Sequence, residues 1–106
     1  SVLNRQINKG LKKIKNYKNI LIAYEPVWSI GTGIIPKDRE LEKNISKIQK
    51  IISRKTRIKL PILYGGSVNN KNISRLKNIS TINGFLVGSA SQSSKKFIDI
   101  IKKTIN

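Results

Sequence analysis

The chain has 106 residues and is 38% hydrophobic, enough for one ordinary domain with a single core and too apolar for a disordered chain. It carries 22 Lys and Arg against 5 acids, a net charge of +17, and contains neither Cys nor His, which excludes a disulfide framework and the usual zinc constellations. The basic residues are spread along the chain, and the 3 Tyr, 2 Phe and 1 Trp form no ladder for stacking bases, so neither a nucleic acid nor a membrane is the expected partner.

Ile, Lys and Asn dominate, and mutational drift in an AT-rich genome gives the same signature. The first residues, SVLNRQINKG, lack the apolar core of a signal peptide, and no apolar run of about 18 residues exists. A cytoplasmic location is the default expectation.

In chain order, Leu3, Ile7, Leu11 and Ile14 mark one face of an amphipathic helix. Asn19 to Tyr24 (NILIAY) is a short unbroken apolar run, the pattern of a strand buried on both faces. It ends in Glu25, and the stretch Ala23 to Gly33 reads AYEPVWSIGTG. Asp38 is the expected N-cap of a second helix, with Glu40 and Glu42 in the first turn and Leu41, Ile45, Ile48 and Ile52 on its apolar face. Pro61 to Tyr64 reads as a second strand, closed by Gly65 and Gly66, with a short helix around Asn70 to Leu76. Gly84 to Val87 is a third strand, ended by Gly88. Ser94 is the expected cap of a last helix whose buried face is Phe97, Ile98, Ile101 and Ile105.

One helix followed by three strand–loop–helix units implies an α/β fold with parallel strands and right-handed crossovers. All three unusual loops then leave the C-terminal ends of strands, the edge that carries the site in such folds. A carboxylate at a strand's end can act as a base, and a loop with stiff ends and a glycine tip can act as a lid. Taken singly, each feature has a plainer reading. Glu25 could pair with a nearby Lys, residues 26–36 could be an ordinary connection, and Gly65-Gly66 could be a tight turn.

Together, AYEPVWSIGTG, YGGSV (Tyr64 to Val68) and GFLVGSAS (Gly84 to Ser91), in this order and each after a strand, resemble the C-terminal part of the triosephosphate isomerase family. The resemblance covers essentially the whole chain. It implies a partial TIM (β/α)8 barrel, with residues 1–106 as its C-terminal portion: three parallel βα units preceded by one helix. It also implies a glycolytic and gluconeogenic isomerase that interconverts dihydroxyacetone phosphate and glyceraldehyde 3-phosphate without a cofactor or metal. Glu25 matches the base that shuttles a proton between two carbons. Pro26, Val27, Trp28, Ser29, Ile30, Gly31, Thr32 and Gly33 match the lid. The Gly31 amide, Ser67, Gly88 and Ser89 match the grip on the substrate phosphate, and Tyr64 and Ser67 match the latch of the closed lid.

Three departures qualify the match. Ser89 replaces the second glycine of the phosphate pair, so a positive φ there would be strained. Pro36 has no N–H, so Tyr64 cannot latch to that amide, while Ser67 can still reach the Gly33 amide. The family's histidine electrophile, its lysine and its dimer loop have no counterpart in this sequence, so a separate N-terminal half-barrel chain is the expected partner. Three strands with open edges are expected to be marginal alone. The competing reading is a non-catalytic remnant that keeps weak phosphate binding at Ser67 and Gly88.

Overall fold

The computed structural model describes residues 2–26, 29, 32 and 34–105. The first element is helix α1 (Val2–Leu11). Its Leu3 and Ile7 are partly buried against the core and Leu11 is buried. The helix stops before Ile14, which therefore leaves the apolar stripe and is exposed.

Strands β1 (Ile22–Tyr24), β2 (Ile62–Gly65) and β3 (Gly84–Leu86) form one open sheet in the order β1-β2-β3, with both pairings parallel. Helix α2 (Asp38–Thr56) joins the first pair. The short α3 (Ile73–Leu76) joins the second, and a 3-10 helix (Ser89–Gln92) leads from β3 into α4 (Ser94–Ile105). Register aligns Tyr24 with Tyr64 and Tyr64 with Phe85. At the other end, the Ile62 N–H donates to Asn83 Oδ1 at 2.9 Å and the Asn83 N–H donates to the Ile62 carbonyl at 2.9 Å, which ties the start of β3 to β2.

The core lies on the helical side of this sheet, in two clusters that meet at Tyr24 and Ile82. One is built on Leu41, Tyr64, Val68, Ile73, Leu76, Ile79, Ala90 and Ile100, the other on Ile45, Ile48, Ile52, Leu60 and Ile62. The four expected core positions of α2 are all buried, so its helical period survives into packing. No helix among the described residues is long and apolar enough to cross a membrane.

Four further local expectations are corrected. The run before Glu25 is not buried on both faces: Ile22 and Tyr24 pack on the core, while Leu21 and Ala23 are exposed. Strand β1 lies at the sheet edge, and among the described residues no layer covers its second face, so burial alternates with the pleat.

Capping differs at two helices. Lys37, not Asp38, holds the N-cap position of α2 and makes no side-chain cap bond; Asp38 is the first helical residue and pairs with Arg75. At α4 the Lys96 N–H donates to Ser93 Oγ at 3.3 Å, so the capping side chain is Ser93, one residue before Ser94.

The inward face of α4 also differs. Ile100 is buried, whereas Phe97, Ile98, Ile101 and Ile105 are exposed, Ile105 at 78%. The apolar residues of this helix span more than one stripe. Docking on α3 and the 3-10 helix selects Ile100 and leaves Phe97, Ile101 and Ile105 beside the free edge of β3, with Ile98 on another side near Asn70.

Leu41 is fully buried in the cluster that contains Tyr64. Leu41→Ala is expected to lower the unfolding free energy by about 2–5 kcal/mol, read as a lower urea midpoint at unchanged slope.

Candidate active site

The site is assembled by strand register. Because Tyr24 and Tyr64 are paired, the next residues, Glu25 and Gly65, leave neighbouring strand ends side by side. Gly65 in turn pairs with Leu86, which brings Gly88 and Ser89 to the same end of the sheet. The result is one cleft lined by Glu25, Gly65, Gly66, Ser67, Val68, Leu86, Val87, Gly88 and Ser89. Glu25, Ser67, Gly88 and Ser89, picked out on sequence from three separate motifs, thus border a common space. Glu25 is exposed, as are Gly88 and Ser89.

Gly65 has a role that sequence reasoning missed. A Cβ placed there would lie 2.8 Å from Glu25 Cγ and 3.0 Å from its Oε1, so any larger residue would displace the carboxylate. Its φ is not positive, so crowding and not turn geometry requires glycine. The signal available in sequence was a glycine at the end of the strand predicted beside the one bearing Glu25.

Strain falls on Ser67 and not on Ser89. Ser67 has φ 59°, in the left-handed region that side chains seldom adopt, and Gly66 before it has φ 129°. Ser89 is regular and begins the 3-10 helix. A small polar network holds the turn. Asn72 Nδ2 donates to the Ser67 carbonyl at 2.7 Å, while the Asn72 N–H donates to Asn69 Oδ1 at 3.0 Å and the Asn69 N–H to Asn72 Oδ1 at 2.9 Å. These two asparagines support the loop that carries Ser67 and were not singled out from sequence. Their Asx pattern, spaced by three after a serine, was the available cue.

Of the expected lid, Pro26, Ser29 and Thr32 are described; Val27, Trp28, Ile30, Gly31 and Gly33 lie outside the described residues. Pro26 is buried, and Ser29 is fully buried. The Ser29 hydroxyl is bonded to the Ile34 carbonyl, with the Gly66 carbonyl 3.3 Å away. Ser67 joins this loop directly: the Thr32 N–H donates to Ser67 Oγ at 3.0 Å, and Ser67 Oγ donates to the Ser29 carbonyl. Tyr64 turns its hydroxyl to the Gly66 carbonyl, 3.1 Å away, within its own loop. Its ring is fully buried and tilted 55° against Tyr24 at 6.3 Å. Burial pushes the Tyr64 phenol above its ordinary value, and a hydrogen bond with Ser29 opposes that rise.

Comparison with known proteins then bears on this geometry. A family model described as triosephosphate isomerase matches residues 1–104. The chain belongs to the triosephosphate isomerase family. It is 44% identical over 101 residues to the triosephosphate isomerase of Mycoplasmopsis agalactiae, covering 95% of this chain and 37% of that protein. It is 40% identical over 104 residues to that of Saccharomyces cerevisiae (94% and 42%) and 44% identical over 108 residues to that of Candida albicans (98% and 43%). The chain therefore spans about two fifths of the length of these relatives. Triosephosphate isomerase membership agrees with the parallel order of the three strands and with their C-terminal ends bordering one cleft.

Tyr64 provides a pH test of this packing. The folded state holds its phenolic proton more tightly than the unfolded chain does. Its contribution to stability is therefore complete below about pH 10 and is lost as pH rises through the higher folded value. Thermal midpoints of the native chain are expected to fall more steeply above about pH 10 than those of Tyr64→Phe. Parallel curves would show that Tyr64 contributes nothing to the slope.

Proposed function

We propose that these residues supply the base and the phosphate grip of a triosephosphate isomerase acting on dihydroxyacetone phosphate and glyceraldehyde 3-phosphate. The observation that carries this reading is the single cleft bordered by Glu25, Ser67, Gly88 and Ser89, in a chain of this family.

In this mechanism the Glu25 carboxylate removes a proton from the carbon beside the carbonyl. The C–H electron pair forms the enediolate double bond, and the carbonyl pair moves onto oxygen. The same carboxyl then returns the proton to the former carbonyl carbon, while the neighbouring hydroxyl gives its proton to the former carbonyl oxygen and its O–H pair closes the new carbonyl, so atoms balance and no redox partner is needed. The phosphate is anchored by the backbone at Gly88 and Ser89, where the 3-10 helix begins, and by Ser67 on the neighbouring loop. The loop from Pro26 to Pro36 excludes water from the enediolate, with Gly31 contributing an amide to the phosphate and Tyr64 and Ser67 holding the loop.

The reaction also needs a group to polarise the carbonyl, and this sequence contains no histidine. That electrophile and a neutralising lysine come, in this proposal, from a part of the barrel outside these residues. The same part would add strands to the free edges of β1 and β3 and cover the open face that leaves Glu25 exposed. A cytoplasmic setting is part of the same proposal.

The test is an isomerase assay of this chain alone and mixed with the first five βα units of a relative. Turnover is expected only in the mixture. Glu25→Gln is expected to reduce it by about 10²–10⁴-fold, and Gly65→Ala to reduce it also, by displacing Glu25. Turnover that survives Glu25→Gln would remove Glu25 as the base.

A further inference from the structure

The connection from β1 to α2 enters and leaves its loop through two buried prolines, Pro26 and Pro36. Pro36 has no N–H to offer a neighbour. Among the described residues, the side-chain bonds that join 35–38 to another element all come from one residue, Arg75 of α3. Its Nη2 donates to the Pro36 carbonyl at 2.6 Å, and its Nε donates to Asp38 Oδ1 at 2.7 Å. We propose that Arg75 is a positioning residue for the Glu25 loop: its guanidinium fastens the loop's C-terminal hinge to α3, in place of the backbone donor that Pro36 lacks. The inference rests on the reading of this loop as the cover of the Glu25 site.

Two acceptors separated by one residue are met by one planar fork, a geometry that lysine's single ammonium cannot reproduce. The base of the fork is fixed, because Ile73 and Leu76 of α3 are fully buried on either side of Arg75. Ser67, on the loop just before α3, holds the same connection at Thr32. One loop–helix unit after β2 thus grips the Glu25 loop twice, by a hydroxyl near its tip and by a guanidinium at its exit. The two grips differ in kind. The Arg75 and Asp38 side chains are 47% and 51% exposed, so salt weakens this contact. The Ser67–Thr32 bond has no charged partner and is not subject to that screening.

Hydrogen–deuterium exchange of the full 106-residue chain, read by mass spectrometry at low and high salt, tests the proposal. Arg75→Met is expected to speed amide exchange in residues 34–40 by about tenfold, with β2 and the Ile45–Ile52 turns of α2 unchanged. High salt should speed the same segment in the native chain and have no further effect on Arg75→Met. Arg75→Lys should recover only part of the protection, and Asp38→Asn should fall between native and Arg75→Met. Lys103→Met, which breaks the Asp99–Lys103 pair and the Lys103 bond to the Asn70 carbonyl but touches neither Pro36 nor Asp38, is the control and should leave residues 34–40 unaffected.

The proposal is overturned if Arg75→Met exchanges like the native chain in this segment. It is also overturned if exchange rises equally throughout the chain, or if the Lys103→Met control has the same effect. Should Arg75→Met not fold, the Asp38→Asn and salt arms decide alone. No substrate is used, so absent turnover would count against the proposed isomerase and leave this result standing.

Discussion

Everything at the site depends on the register of β2 between its two parallel neighbours. Ile62 and Tyr64 of this strand are both fully buried, one in each core cluster, so the strand is held by packing along its length. A slip of one residue would turn both side chains to the open face of the sheet. It would also part Glu25 from Gly65, whose missing side chain leaves the space that the carboxylate fills. The chemistry of the cleft and the integrity of the core therefore rest on the same pairing.

The loop after β2 is the second point of concentration. Within Gly65 to Asn72 the chain makes room for Glu25, takes a positive φ at Gly66 and again at Ser67, and closes the asparagine network that holds the turn. A serine at φ 59° costs of order 1 kcal/mol, and the bonds of Asn72 and Asn69 to the Ser67 carbonyl offset it locally. The gain is direction, since this turn brings Ser67 Oγ to the Glu25 loop at Thr32.

The open sheet explains the remaining departures from a finished barrel. Apolar side chains stand uncovered beside both edges: Leu21 near β1, and Leu86, Phe97 and Ile101 near β3. A chain spanning about two fifths of its relatives' length leaves these surfaces where further barrel strands lie in a closed sheet. The same geometry accounts for the exposure of Glu25, because desolvating that carboxylate requires walls on the side of β1 away from β2.

By itself the sequence determined the element order, the parallel α/β class, the four inward positions of α2 and the family, because these depend on periodicity and on short motifs. It also singled out Glu25, Ser67, Gly88 and Ser89, since each stands in a motif at a strand's end. Tertiary structure decided which face of α4 is buried, since a helix with apolar residues on two stripes can dock by either. It decided that Ser93 and not Ser94 caps that helix, and that strain sits on Ser67 and not on Ser89. It decided, too, that Gly65 is glycine because Glu25 lies against it, and that Arg75 spans Pro36 and Asp38. Those contacts join residues about 40 positions apart, and nothing in local pattern encodes a neighbour that only strand register and helix docking bring within reach.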